Sequence, residues 1–314
     1  MRHMKYAPCP PGVVTRLAGQ ELRFGAVPAP TECMKKSTTR AACIAAAILL
    51  AASSLLTAQA DTLKADKADK TFFTRKDLLI TGGGFLVSVG VSAFDESIAS
   101  WSQSSDVQGG STRRSAFEWV THVNEQPLTI LALGTYGVGR LAHLETTTDV
   151  GLHTAQALIL TITTAELIRA PLGRARPRVA SDSLTGSFNA FSFHFGGGFT
   201  EFDHRAYPSM HSAVAFATAA ALVGEVRVHK PSAVKVAAPL LYTAALIPGI
   251  TRIYLNQHWA SDIVAGGVLG AWLGTKVVSY AHSHRPSKLD RMLMGLSVLP
   301  DGRGGVVAAV SLSQ

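Results

Sequence analysis

Six uncharged or nearly uncharged apolar stretches, at 78–94, 127–142, 150–168, 212–226, 233–250 and 263–280, dominate this 314-residue chain. At about 15–19 residues each they are too long for buried strands and predict helices. Crossing a bilayer takes about 20 residues. The lengths therefore fit a compact bundle that is either embedded in a membrane or buried as a soluble core. Small residues recur in the runs GGVLGAWLG and AVAFATAAALVG, which permits helices to approach closely. The expected fold is all-α: a helical bundle of about six apolar helices over 77–284. A tail at 285–314 carries a short C-terminal β-hairpin, with strands at 294–299 and 306–312 around a Pro-Asp-Gly-Arg-Gly-Gly turn. No internal repeat is visible.

Ahead of the bundle, residues 34–60 have the layout of a secretory signal peptide. Lys35, Lys36 and Arg40 precede an Ala- and Leu-rich run, and Ala58-Gln59-Ala60 supplies a small-residue cleavage site. An uncleaved anchor is the alternative. Residues 1–33 hold five prolines and no clear period, and are read as a mis-assigned extension with Met34 as the true start. Residues 61–76 are a polar lead-in. Residues 1–60 contain seven of the 29 basic and two of the 21 acidic residues, so the net charge of +8 falls to +3 over 61–314. That gives nucleic-acid binding little support. Cys9, Cys33 and Cys43 all lie before the cleavage site, which excludes disulfides, cysteine nucleophiles and thiolate metal sites from the exported part. The chain is expected to be exported, in the inner membrane with its site facing the periplasm, or else soluble in the periplasm.

Three clusters carry chemistry. Arg169 to Pro177 reads RAPLGRARP; Pro171 and Gly173 should end the preceding helix and leave Arg169 and Arg176 at its end and in the following loop. A guanidinium offers a fixed fork of donors that matches phosphate oxygens. Tyr207-Pro208-Ser209-Met210-His211-Ser212 stands directly before an apolar segment. A helix N-terminus there would present free N–H groups, a Ser209 hydroxyl and a His211 imidazole. In TRIYLNQHWASD, from Thr251 to Asp262, His258 and Asp262 are four apart. A carboxylate on one imidazole nitrogen fixes the tautomer and frees the other for attack. Each cluster alone also fits an ordinary helix end or cap. Their coincidence supplies three guanidiniums, a serine, two histidines and an orienting aspartate, the set needed for phosphoryl transfer through an enzyme-bound histidine.

The order and spacing resemble the type 2 phosphatidic acid phosphatase superfamily, which includes class A acid phosphatases and vanadium haloperoxidases. Its pattern is KxxxxxxRP, PSGH and SRxxxxxHxxxD; here RAPLGRARP, PSMH and TRIYLNQHWASD are separated by 30 and 39 residues. The resemblance implies that Arg169, Arg176, Ser209, Met210 and Arg252 bind phosphate. It implies that His258 is the nucleophile, oriented by Asp262, and that His211 is the general acid. Arg169 stands for the family's lysine, Thr251 for its serine and Met210 for its glycine, where the side chain is expected to narrow the pocket.

The expected reaction is hydrolysis of a phosphate monoester or diphosphate, on a lipid-linked substrate such as phosphatidic acid or a polyprenyl diphosphate, with neither metal nor cofactor. A broad-specificity periplasmic acid phosphatase and a vanadate-dependent haloperoxidase are the alternatives. The membrane is the expected partner, and the sequence does not fix the oligomeric state. His153 and Glu166 could line the site or be satisfied core groups. His194 and His204 fall in the long polar, aromatic connection at 178–207 and are expected at the surface. His122, His143, His229, His282 and His284 show no usable partner spacing.

Overall fold

The computed structural model describes residue 72, residues 74–181 and 186–283, and the backbone of 296–300 and 306–310. The signal-peptide and extension readings at 1–60 fall outside these residues. The six expected segments are helices: α1 Arg75–Ser92, α5 Glu125–Leu141, α6 Glu145–Leu172, α7 Met210–His229, α8 Val234–Tyr254 and α9 Ala260–Ser283. Three further helices, α2 Asp95–Ser102, α3 Ser105–Gln108 and α4 Ser111–Val120, occupy a polar stretch whose composition gave no helical signal. At the C-terminus Leu296–Pro300 (β1) and Val306–Val310 (β2) pair antiparallel. The residues joining them lie outside the described set.

Local chemistry sets the helix ends. α1 begins inside the polar lead-in because Thr74 and Asp77 form a capping box, each side chain bonded to the other's backbone N–H. The Lys276 ammonium then ties Asp77 to α9 at 2.6 Å. α6 ends where Pro171 and Gly173 predicted: Gly173 adopts the left-handed conformation at φ 63° and its N–H bonds the Arg169 carbonyl.

α7 and α9 form the closest pair of the bundle. Gly266, Gly270 and Gly274 recur every fourth residue on one side of α9, where a Cβ would collide with the backbone at Ser209, Ala213 and Ala217. Only glycine allows that approach. The core beside this contact holds Leu158, Met210, Val214, Leu269 and Leu273. Each such large apolar side chain contributes about 1.5–3 kcal/mol on burial. The outward faces differ. Leu78, Leu79 and Leu86 on α1, Ile130 and Leu131 on α5, and Val236 and Leu240 on α8 are each more than 60% exposed. α8 with its lead-in (Pro231–Tyr254) and α9 are long and apolar enough to cross a membrane, and α1 with α2 would add a third, bent span.

Candidate active site

The three sequence clusters meet at one end of the bundle. Arg169 sits in the last turn of α6, and Arg174 and Arg176 follow in the connection to α7. Ser209 is the N-cap of α7, as expected from sequence, but its hydroxyl makes no capping bond. Its backbone N–H instead donates to the Asp262 carbonyl at 3.0 Å, locking the start of α7 to the start of α9. Between α8 and α9 the chain reverses through Asn256, which takes the left-handed conformation at φ 56°. Asparagine tolerates that region better than most residues. The reversal folds Gln257 and His258 back on the last turn of α8, where the Gln257 N–H bonds the Arg252 carbonyl at 2.9 Å. The Arg176 guanidinium donates to Gln257 Oε1 at 2.8 Å, bringing the first cluster onto the third.

Asp262 is held by a group that motif reading missed. Arg174 Nη1 donates to Asp262 Oδ1 at 2.6 Å and to Ser261 Oγ at 2.7 Å, and its Nη2 donates to Asp95 Oδ2 at 2.7 Å. The Trp259 N–H donates to Asp262 Oδ2 at 2.8 Å. All these side chains are buried. His258 Nδ1 lies 3.4 Å from Asp262 Oδ2, within ion-pair range yet outside hydrogen-bond geometry. Catalytic hydrogen bonds are often this loose without substrate. Nothing in the spacing of Asp95 marks it from sequence. Arg174 lies inside the RAPLGRARP stretch, one of three arginines there, and only the fold singles out the one that hydrogen-bonds two buried carboxylates.

The electrostatics are one-sided. Burial holds the His258 imidazole well below its usual range, and the charges of Arg176, Arg252 and Arg169 push it further in that direction. Burial likewise lowers Arg176 to about 9, helped by Arg252 and Arg169. His211 falls to about 3 from burial, then from Arg252 and His258. Glu166 approaches Arg169 at 3.6 Å, beyond hydrogen-bond distance. The Nε atoms of Arg169, Arg176 and Arg252 and the hydroxyls of Ser209 and Thr251 are buried with no hydrogen-bond partner among the described residues. Leaving such donors unmade costs about 1–3 kcal/mol each. The arrangement is complementary to a compact oxyanion that accepts several donors at once.

Other expectations resolve as follows. Met210 does not wall the pocket; its side chain packs into the core with Leu158 and Leu269. Glu166 stands at the site's edge, whereas His153 bonds Glu225 far along α6 and α7. His194 is exposed as expected. His204 is instead mostly buried, stacked on the His194 ring at 4.6 Å and paired with Glu201. His229 and His282, for which the sequence offered no partner, both reach Glu225.

Residues 151–286 match the PAP2 superfamily. Over 68 residues the chain is 43% identical to a protein named lipid A 1-phosphatase from Porphyromonas gingivalis, a match covering 22% of this chain and 14% of that relative, so the chain spans about a seventh of the relative's length. Among solved structures, a transmembrane PAP2-type phosphatidylglycerolphosphate phosphatase from Bacillus subtilis aligns over 65% of this chain and 97% of its own, with 19% identity and a TM-score of 0.46.

Proposed function

Because residues 151–286 match the PAP2 superfamily, we propose that the chain is a member that hydrolyses a phosphate monoester or diphosphate on a lipid through a phosphohistidine intermediate. The observation that carries this reading is the set of unpaired, buried donors on Arg169, Arg176, Arg252 and Ser209 gathered around a neutral imidazole at His258.

In the proposed reaction the three guanidiniums, Ser209 Oγ and the free N–H groups at the start of α7 bind the non-bridging phosphoryl oxygens, with the backbone N–H of Met210 among the candidates for that contact. Asp262 faces Nδ1 of His258, so Nε2 carries the lone pair that attacks phosphorus. As the N–P bond forms, the bond from phosphorus to the leaving oxygen breaks, and His211 delivers a proton to that oxygen. Water then attacks the phosphohistidine, His211 takes a proton from it, and inorganic phosphate leaves. The arginine cage stabilises the charge on the transferring group in a water-poor site. The same charges hold His258 unprotonated and so able to attack.

Three observations support a lipid substrate. Leucine, isoleucine and valine side chains stand exposed along α1, α5 and α8, as on a surface that meets lipid. A groove of about 350 Å³ runs beside α5 and α6, lined by Glu125, Gln126, Thr129, Ile130 and Ile162, and the Glu125 carboxylate acts on both Arg169 and Arg252. A mostly apolar groove opening beside a cationic site suits an acyl or prenyl chain behind a phosphate. Phe191, Phe195, Phe199 and Phe202 stand exposed on the connection that also carries Arg176, and Phe202 lies 4.0 Å beneath that guanidinium. Exposed apolar rings beside basic side chains suit contact with a membrane surface. With the leader-like segment at 34–60, this supports the reading of an inner-membrane enzyme with its site facing the periplasm.

A substrate panel on detergent-purified protein tests the reading. Phosphatidic acid, an isoprenyl diphosphate and lipid A should be turned over in preference to a nucleotide and an aryl phosphate. Quenching in alkaline denaturant during turnover should trap phosphate on His258 that later acid treatment releases. Equal turnover of all five, with active protein released by osmotic shock alone, would select the soluble broad-specificity phosphatase instead.

A further inference from the structure

We propose that His153, Glu225 and His282, with His229 as a fourth donor, form a zinc-class metal site at the end of the bundle remote from the phosphatase site. The residues come from α6, α7 and α9 and are brought together only by the fold. His153 Nδ1 lies 2.6 Å from Glu225 Oε1. His282 Nε2 lies 3.2 Å from both oxygens of the same carboxylate. His229 Nε2 is 3.3 Å from Oε2. One ligand atom from each of His153, Glu225 and His282 falls within 4.8 Å of the others. An ion bound at about 2.1 Å holds tetrahedral ligands about 3.4 Å apart, so small side-chain adjustments convert this cluster into a coordination shell.

Charge points the same way. Glu225 is almost fully buried, and its described ion-pair partners are three imidazoles and no lysine or arginine. Asp149, 3.9 Å from His229, adds a second carboxylate. The group holds two carboxylates in a poorly hydrated place, and a divalent cation would cancel their charge. Three imidazoles and one carboxylate favour zinc, cobalt or nickel over calcium and magnesium, which prefer all-oxygen shells.

The position defines the role. His153 precedes Arg169 by 16 residues on α6, Glu225 follows His211 by 14 on α7, and His282 follows Asp262 by 20 on α9. At 1.5 Å per residue the cluster stands roughly 20–30 Å from the phosphatase residues. It therefore serves as a clip that fastens the far ends of the three helices whose near ends carry Arg169, His211 and Asp262. It takes no part in the hydrolysis, and the proposal stands or falls independently of that reading.

The test uses full-length protein purified with a tag that binds no metal, stripped with a chelator and titrated with ZnCl₂ or CoCl₂. The expected result is one equivalent bound per chain, a cobalt absorption spectrum of four-coordinate intensity, and a thermal midpoint raised by about 5–10 °C at a hundredfold excess over Kd. The double variant His153→Ala/His282→Ala should lose the bound equivalent and the midpoint shift. His229→Ala and His282→Ala, altered at the more exposed rim, should keep the fold and weaken binding at least about tenfold, which covers the case of a double variant that does not fold. Folded wild-type protein that takes up no stoichiometric zinc or cobalt overturns the proposal and leaves the cluster as histidine–glutamate pairs alone. Undiminished binding in the folded variants overturns it equally.

Discussion

Arg174 donates to Asp262 at 2.6 Å across 88 positions of chain, and through that bond it fixes the carboxylate that faces the ring of His258. The same guanidinium spans to Asp95 at 2.7 Å, so one buried cation balances two buried anions. Removing it leaves both carboxylates uncompensated. Arg174→Ala is expected to destabilise the protein by about 3–5 kcal/mol, measured by denaturant unfolding. Arg174→Lys should not rescue it, since a single ammonium cannot fork between acceptors on two sides. Wild-type stability in either variant would show that the network is not what holds the start of α9.

If His258 attacks phosphorus and His211 protonates the leaving oxygen, the two substitutions act on one step. His258→Ala should abolish turnover. His211→Ala should cost about 10²–10⁴-fold in kcat with an alkyl or lipid leaving group and much less with an acidic phenol, which needs no proton. The double variant should be no slower than His258→Ala. Single-turnover rates measured on both substrate types decide the roles, and the two leaving groups losing the same factor in His211→Ala would remove it from the acid role.

How much of this was legible in the sequence depends on the distance over which each contact acts. The six long helices were readable because each carries an apolar stretch of its own, and the end of α6 was readable because Pro171 and Gly173 are local signals. α2 to α4 were not, since their sequences carry no long apolar period; contacts such as Asp95 with Arg174 and Phe117 with Tyr254 hold them in place. Arg169, Arg176, Ser209, Arg252, His258 and Asp262 could be singled out because their spacing is fixed within short motifs, and the fold gathers them. Arg174, His153 and His282 escaped because their partners lie 57 to 88 positions away, whereas His229 stands only four residues from Glu225, a helical pairing that the spacing did carry. The Met210 side chain was misjudged for a related reason. Its neighbour in sequence, His211, faces the site, but α7 turns Met210 itself into the core.

That orientation gives Met210 a stability role. Met210→Gly restores the residue type of the family pattern but deletes a buried side chain at the start of α7. A loss of about 2–5 kcal/mol is expected, with kcat on large and small substrates keeping the same ratio. Thermal unfolding with a two-substrate assay checks both halves. A variant that gains selectively on bulky substrates would show that the side chain narrows the pocket after all.

Charge neutralisation by Arg169, Arg176 and Arg252 leaves the proposed hydrolysis with no step that needs a metal. Chelator treatment should therefore leave kcat unchanged at moderate temperature, while the zinc clip predicts a lower thermal midpoint in the same sample. Loss of kcat far below that midpoint, restored by added metal, would contradict the arginine-based chemistry.

The pH dependence follows from where the transferable proton resides. His211 is lowered to about 3, first by burial and then by Arg252 and His258, so in the free enzyme at pH 7 it is neutral and has no proton to give. The proton must arrive on the substrate, as the phosphate monoanion, and pass to His211 once the phosphoryl charge in the cage raises that imidazole's affinity for it. A phosphate monoester loses its second proton near pH 6. kcat/KM should thus be flat on the acid side, since His258 is held neutral there, and should fall about tenfold per pH unit above roughly 6. Steady-state profiles between pH 4 and 9 on a monoester test this directly. A kcat/KM that rises from pH 6 to 8 would mean that the dianion is the true substrate, and that the leaving oxygen takes its proton from a group other than His211.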